Sequence, residues 1–215
     1  MSFLIGLILS LLFVFGPGPG LFAQSSSRDD YHHMPLEDIS PLEKAGNFGF
    51  MYVAQWGIYY VSQRETIDDH GSFKNWHENM TKPHFDKDHF NYNIFKHTIT
   101  GQYYYLFYRS RGYEQKDAFA WAALSSLAFE FAIETVTERP SYQDMYQTPV
   151  FGSIVGMGFE RMSLYLHSLQ TWPTTMLGYI FNPFTVLPMS QYQLGFYPTK
   201  YNDKGALALS LEMKL

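Results

Sequence analysis

The sequence predicts a mainly α-helical fold, a small bundle of four or five helices followed by a carboxy-terminal β-hairpin. The first observation is the nearly continuous apolar stretch 117–138, which is much longer than an ordinary strand. The second is the helix-start signal Thr148-Pro149, which opens a helical stretch to about Gln170. The third is the alternation of leucine or methionine with other residues over 206–215, which predicts a two-sided strand.

The chain divides into five segments along its 215 residues. Residues 1–23 are predicted to be a signal peptide, because their apolar run is short for a membrane span and ends before small residues. An uncleaved N-terminal anchor is the alternative. Residues 24–45 predict a flexible polar leader, and 46–170 predict the helical domain. Residues 171–188 form an apolar segment broken by prolines, and 189–215 form the β-hairpin.

Local signals place the other helices of the domain. Apolar residues in 46–63 follow both strand and helix spacing, and the length of the stretch favours a helix. Ser72 is a predicted N-cap for a short amphipathic helix that ends before Pro83. A further helix covers 94–111 and ends at Gly112, since glycine readily takes the left-handed conformation required after a helix.

The composition indicates a protein that meets a membrane. Aromatic residues make up 19% of the chain and charged residues only 16%, and tyrosine and tryptophan suit the boundary between lipid and water. The net charge of -5, without a basic stripe, argues against nucleic-acid binding. The chain has no cysteine, which excludes disulfides, thiol catalysis and a lipoprotein anchor. We therefore expect a cell-envelope protein, at the periplasmic face of or within the outer membrane, that contacts membrane lipids or an outer-membrane protein.

Three glutamates distinguish the apolar stretch 117–138. Glu130, Glu134 and Glu138 stand at steps of four and would share one face of a continuous helix. The surrounding alanine, phenylalanine, leucine and isoleucine indicate that this helix is buried. Buried carboxylates need partners that pair with them or protonate them.

The partners are expected among polar residues on either side of this stretch. We predict that the helix carrying His97 faces the glutamates and that the segment 139–144 closes the centre, with Ser141 spaced as a helix cap. The expected ion pairs join Arg139 or His97 to Glu134 or Asp144. The full polar network is predicted to include Asp86, Asp88, Asn93, His97, Glu130, Glu134, Glu138, Arg139, Ser141 and Asp144.

Small residues follow the Thr148-Pro149 signal. Gly152 and Gly156 are spaced so that another helix can approach closely. The spacing predicts tight helix packing, either within the chain or by self-association through these two glycines.

A set of ordered motifs extends over some ninety positions. It comprises Trp76-x-x-Asn79, Asp86-Lys87-Asp88, Asn93-x-x-x-His97, Gly101-x-x-Tyr104-Tyr105, Arg109-x-x-Gly112, Ser125-Ser126, Glu130-x-x-x-Glu134, Glu138-x-Pro140-Ser141-x-x-Asp144 and Thr148-Pro149-x-x-Gly152. With these motifs, the chain from Asn75 to about Leu166 resembles an uncharacterised family of bacterial cell-envelope proteins, a domain of unknown function. The resemblance implies an envelope location and no particular activity.

Three functions are compatible with these patterns. The favoured one is a structural or interaction protein of the envelope, in which the polar network holds the helices together. The alternative is a hydrolase at the membrane, acting by a metal or by acid–base chemistry on a lipid or cell-wall precursor. Its candidate catalytic residues are His97, Glu130, Glu134 and Asp144, a ligand set that suits zinc, manganese or iron, although no metal is assigned. A cation carrier is the least favoured, because arginine and lysine interrupt the long apolar runs.

Overall fold

The computed structural model describes residues 39–186, 192–201 and 204–213. The predicted signal peptide, residues 1–23, and most of the predicted leader lie outside the described residues. The described part confirms a mainly helical protein with a carboxy-terminal hairpin, and it contains seven α-helices rather than four or five.

The helices form one bundle around two central members. They are α1 (Pro41–Ser62), α2 (Arg64–His70), α3 (Phe73–Met80), α4 (Phe90–Ser110), α5 (Gln115–Ala128), α6 (Tyr142–Ser168) and α7 (Trp172–Phe181). The most extensive contact in the fold joins α4 to α6, and α5 and α7 pack on the flanks of this pair. A cluster of aromatic residues from α4, which includes Tyr105 and Tyr108, fills the centre together with Tyr113.

Several helix ends follow the local signals. The Ser72 hydroxyl accepts a hydrogen bond from the Asn75 backbone N–H at 3.0 Å, which caps α3 as predicted. Gly112 follows α4 with a φ of 86°, the left-handed conformation that favours glycine. The Ser40 hydroxyl caps α1, and the helix begins at Pro41. Residues 41–45 therefore belong to a helix and not to the predicted leader.

The predicted helix start at Thr148-Pro149 is wrong. A single helix, α6, runs from Tyr142 to Ser168 and includes Pro149. Its N-cap is Ser141, whose hydroxyl accepts a hydrogen bond from the Asp144 backbone N–H at 3.3 Å. Packing against α4 keeps the helix continuous, because tertiary contacts commonly outweigh the local cost of a proline.

The predicted continuous helix over 117–138 is also wrong. The α-helix α5 ends at Ala128, and a π-helical turn, Phe129–Ile133, and a 3₁₀ turn, Glu134–Val136, follow it. The combined stretch Gln115–Val136 is the one helical stretch of the described residues that is long and apolar enough to cross a membrane. Its last two turns carry the buried carboxyls of Glu130 and Glu134, whereas Phe119, Leu124 and Leu127 of α5 are exposed.

The segment after α6 contains more structure than its prolines suggested. Within the predicted segment 171–188, the helix α7 accommodates Pro173 in its first turn, and a 3₁₀ turn follows at Pro183–Val186. The hairpin pairs β1 (Tyr192–Tyr201) with β2 (Lys204–Met213) in antiparallel register, which confirms the predicted two-stranded unit.

Two buried ion pairs lie inside the bundle. The Arg109 Nε atom donates to Glu160 Oε1 at 2.8 Å and joins α4 to α6. Arg111 Nη2 lies 3.3 Å from Glu43 Oε1 and joins the end of α4 to the start of α1. The interior is unusually polar, since buried polar and charged residues outnumber buried apolar ones among the described residues.

Candidate functional site

The candidate site lies where the segment before α4 meets the start of α6. The His84 backbone N–H donates to the Pro140 carbonyl at 2.9 Å, and the Tyr142 N–H donates to the His84 carbonyl at 3.0 Å. These two bonds form a short parallel bridge between the two segments. The bridge brings Asp86 beside Ser141, although the two residues are far apart in sequence.

The carboxylate of Asp86 accepts hydrogen bonds from three side chains. Its Oδ2 atom accepts from Ser141 Oγ at 2.7 Å and from Asn93 Nδ2 at 2.9 Å. Its Oδ1 atom accepts from Gln143 Nε2 at 3.2 Å. Burial raises the pKa of Asp86, but the hydrogen bonds from Ser141, from the Asp88 backbone N–H and from Asn93 outweigh it, so the pKa lies below its ordinary value.

Glu130 reaches the same place from the π-helical turn. Its Oε2 atom accepts a hydrogen bond from the backbone N–H of Ser141 at 2.9 Å. Ser141 therefore contacts Asp86 through its hydroxyl and Glu130 through its N–H, while it also caps α6. A π-helical turn rotates the residues that follow it relative to a regular α-helix, and such turns are frequent at functional sites.

His97 lies on the face of α4 that contacts α6, and both of its ring nitrogens are near oxygen atoms of α6. Nδ1 is 2.9 Å from Thr148 Oγ1, and Nε2 is 3.3 Å from Asp144 Oδ1. Burial, and then the positive charge of Lys96, lower the pKa of His97 to about 4. The imidazole is therefore neutral at pH 7, and its contact with Asp144 is not an ion pair.

Three buried acids surround the histidine, and burial raises the pKa of each. Burial raises the pKa of Glu134 to about 7. The positive charge of Lys96 works against this rise, and repulsion from Glu138 adds to it. Repulsion from Asp86 adds to burial at Asp144, whose pKa also rises to about 7. The pKa of Glu130 is well above its ordinary value, through burial and through repulsion from Glu134.

Repulsion from Glu134 adds to burial in raising the pKa of Glu130, so the pair favours a proton on one of its two carboxyls. Protons on these groups near neutral pH suit a proton donor or acceptor. The arrangement can thus hold and exchange protons in the interior of the bundle.

A small cavity opens beside these groups. Its volume is ≈ 20 Å³, enough for a water molecule or an ion. The cavity is lined by Asp86, Asp88, Lys96, His97, Glu134, Glu138, Arg139, Ser141 and Asp144.

The structure brings most of the predicted network together, but not all of it. The interior residues are Asn93, His97, Glu130, Glu134, Ser141 and Asp144, with Asp86 half-buried. Asp88, Glu138 and Arg139 are exposed at the rim of the cavity. The predicted ion pairs join Arg139 or His97 to Glu134 or Asp144. Of these pairings the described residues show the contact between His97 and Asp144 and no ion pair of Arg139. The change of helix type after Ala128 explains why the third glutamate leaves the face of the first two.

The predicted close-packing role of the two glycines is present within the chain. A Cβ atom on Gly152 would lie 2.4 Å from the backbone of Gly101, and one on Gly156 would lie 2.7 Å from the ring of Tyr105. Both glycines are buried against α4. The predicted self-association through Gly152 and Gly156 is therefore not compatible with this packing, because α4 already occupies the face that they share.

Sequence reasoning missed three residues of the site. Thr148 was interpreted as a helix cap, although it stands four residues after Asp144 and so shares its helical face. Gln143 contacts Asp86, and no local signal indicates this contact. Lys96 lines the cavity, and its position beside His97 in the sequence was the one available signal.

Among known proteins, the chain matches a family model whose members have no assigned function. No curated protein matches the chain, and no solved structure matches it. A family model described as a domain of unknown function (DUF3943) matches residues 82–184, from the segment before α4 to the end of α7. The match includes every residue of the candidate site, from Asp86 to Thr148. It overlaps most of the stretch whose motifs resembled an uncharacterised envelope family. Over residues 82–184, the chain is similar to this family of unknown function.

Proposed function

We propose that the protein has a structural or interaction role in the cell envelope, with its apolar outer faces in contact with membrane lipid. The observation that carries this proposal is the reversed polarity of its helices. On α1 the buried stripe is largely polar and consists of Glu43, Asn47, Met51, Gln55 and Tyr59. The large residues exposed on the same helix are apolar or aromatic, namely Leu42, Phe50, Val53, Ile58, Tyr60 and Val61.

The long helix α6 has the same reversed pattern. Its buried polar residues are Asp144, Gln147, Thr148, Ser153, Glu160, Ser163 and His167. Its exposed large hydrophobic residues are Tyr142, Tyr146, Ile154, Met162 and Tyr165, and Arg161 is exposed as well. A helix on the surface of a water-soluble bundle has the opposite arrangement, with its apolar stripe facing the core.

Lipid is the occupant that explains this surface best. Exposed large apolar residues lie on α1, α4, α5, α6 and α7, whereas a single protein partner would cover only part of such a perimeter. Exposing apolar area to water costs roughly 25 cal/mol per Å², and contiguous apolar patches on soluble monomers are rarely large. In lipid the same faces are favourably solvated, and buried polar contacts between helices hold the bundle together.

The hydrogen bonds of the candidate site favour this role over the hydrolase considered as the alternative. Ser141 donates to Asp86 and to Glu130, and His97 contacts Thr148 across the α4–α6 contact. The titratable groups of the site then serve the packing of α4 on α6.

Site-directed spin labelling tests the lipid contact directly, since the chain has no cysteine of its own. Single cysteines replace Val53 and Ile154, whose exposed fractions are 69% and 56%. A matched cysteine replaces Glu65, an exposed residue of the charged helix α2. The full chain is reconstituted into vesicles, and each label is tested for collisions with oxygen, which partitions into lipid, and with a water-soluble paramagnetic reagent.

We expect the labels at Val53 and Ile154 to collide mainly with oxygen and the label at Glu65 to collide mainly with the water-soluble reagent. Because the labels report local surroundings, an apolar leader that binds the vesicle cannot produce this difference. Equal access of the water-soluble reagent to all three labels, in variants with wild-type circular dichroism, would contradict the proposal.

A further inference from the structure

The site at the α4–α6 contact has a property that contact with lipid does not require. His97, Glu130 and Asp144 are each buried, and one ligand atom from each lies within 4.8 Å of the other two. We propose that these three residues bind a single divalent transition-metal ion, such as Zn²⁺ or Mn²⁺. The arrangement of the atoms, the charge of the site and the space beside it each support this inference.

An unpartnered atom points into the site. Asp144 is only 5% exposed, and its Oδ1 atom has no hydrogen-bond partner among the described residues. It lies 3.3 Å from His97 Nε2, but the two atoms are not aligned for a hydrogen bond. A buried acceptor without a donor is costly. A cation between the two atoms would satisfy both of them.

The histidine is already held in the orientation that a metal ligand requires. Nδ1 lies 2.9 Å from Thr148 Oγ1. In the tautomer whose Nδ1–H donates to this hydroxyl, Nε2 presents its lone pair toward Asp144. Histidine ligands are commonly oriented in this way by a hydrogen bond at their other ring nitrogen. Glu130 is oriented similarly, because its Oε2 accepts from the backbone N–H of Ser141.

The charge of the site also calls for a cation. Glu130, Glu134 and Asp144 meet in the interior, and none of them forms an ion pair with lysine or arginine among the described residues. Elsewhere in the bundle, buried carboxylates are paired, as Glu160 is with Arg109. A divalent ion would supply the positive charge that the arginines supply at the other pairs.

The ligand types indicate the class of metal. One imidazole nitrogen and two carboxylate oxygens suit zinc, manganese or iron rather than calcium, which prefers oxygen alone. The cavity of ≈ 20 Å³ is lined by His97 and Asp144 among other polar residues and can hold a water molecule as a further ligand.

Metal titration of the purified full chain tests the inference. The protein is treated with EDTA, dialysed and titrated with Zn²⁺ and, separately, with Mn²⁺, and the bound metal is measured by calorimetry and elemental analysis. We expect one ion per chain for at least one of the two metals, with a rise in the melting temperature. Asp144→Asn and His97→Gln should each weaken binding at least tenfold. Thr148→Val, which removes the hydroxyl that orients His97, should weaken it roughly 10–100-fold.

Two controls separate this site from loose binding elsewhere on the chain. Asp117→Asn changes an exposed acid of α5, outside the cavity, and should leave the affinity unchanged. His32→Ala combined with His33→Ala removes the histidine pair of the leader and should also leave one ion bound. If Asp144→Asn or His97→Gln loses the helical circular dichroism spectrum, Thr148→Val takes its place in the comparison, because valine has nearly the same shape as threonine.

Electron paramagnetic resonance of the Cu²⁺-loaded chain gives a second measurement. Coupling to the nitrogen of one imidazole should be visible in the wild type and absent in His97→Gln. The inference is overturned if the folded wild type binds neither Zn²⁺ nor Mn²⁺ stoichiometrically. It is equally overturned if the folded His97 and Asp144 variants bind as tightly as the wild type.

Discussion

The closest helix contact in the bundle makes Gly152 the most informative position to change. In Gly152→Ala, the added Cβ would lie 2.4 Å from both the carbonyl carbon and the Cα of Gly101, and 2.6 Å from the Gln102 nitrogen. Carbon atoms in favourable contact are about 3.5–4.0 Å apart. The atoms in the way belong to the backbone, so no side chain can rotate to relieve the overlap. The two helices must separate by about 1 Å.

Overpacking of this kind costs typically about 1–3 kcal/mol, occasionally more. Alanine recovers part of the loss, because glycine in a helix interior is roughly 0.5–1 kcal/mol less favourable than alanine. Gly158 lies in the same helix, is exposed, and has nothing within 4 Å of an added Cβ. Gly158→Ala therefore carries the favourable propensity effect without the overlap, which makes it a matched control.

Thermal unfolding followed by circular dichroism measures both variants. For a domain of this size, each kcal/mol shifts the melting temperature by about 2–4 °C. We expect a net decrease of several degrees for Gly152→Ala and a small increase for Gly158→Ala. The overlap would also separate Thr148 from His97, since each of these residues precedes one of the contacting glycines by one helical turn. A Gly152→Ala variant as stable as Gly158→Ala would refute the close approach of α4 and α6.

Three further predictions concern buried titratable groups, and each is measured by chemical denaturation in EDTA. Glu160→Ala leaves the guanidinium of Arg109 buried without its carboxylate and should lower the free energy of unfolding by about 3–5 kcal/mol; a loss below 1 kcal/mol would show that the pair is solvated. Burial lowers the pKa of His167 to about 4, so the fold favours the neutral imidazole. Its contribution to the free energy of unfolding is complete above pH 6.5 and is lost as the pH falls toward 4. His167→Gln should therefore reduce the acid sensitivity of the protein by up to about 3 kcal/mol, and an unchanged pH profile would contradict this. The pKa of Glu134 is raised to about 7, so the fold favours its protonated form. The stabilisation that this form gives the protein is complete below the ordinary pKa of glutamate and is lost as the pH rises through 7. Glu134→Gln should thus be more stable than the wild type at pH 8 and show little gain at pH 5, whereas a loss at pH 8 would indicate that the ionised carboxylate is the form that the fold stabilises.

The sequence by itself determined the elements whose signals are local. Ser72 and Ser141 act as N-caps, Gly112 ends a helix with positive φ, and the alternating pattern near the carboxy terminus produces the strand Lys204–Met213. Each of these depends on backbone preferences and on neighbours within four residues. The location of the polar centre between the helix of His97 and the segment 130–144 was also predictable, because the buried acids had few partners to choose from.

Only the tertiary structure decided which groups meet. Three glutamates at equal spacing are equivalent in the sequence, yet the π-helical and 3₁₀ turns after Ala128 bury Glu130 and Glu134 and leave Glu138 exposed. Pro149 remains inside α6 because the contact with α4 holds the helix on both sides of it. These outcomes follow from the packing free energy of contacts between segments far apart in the chain, which exceeds local propensity and is not encoded in any short stretch of residues.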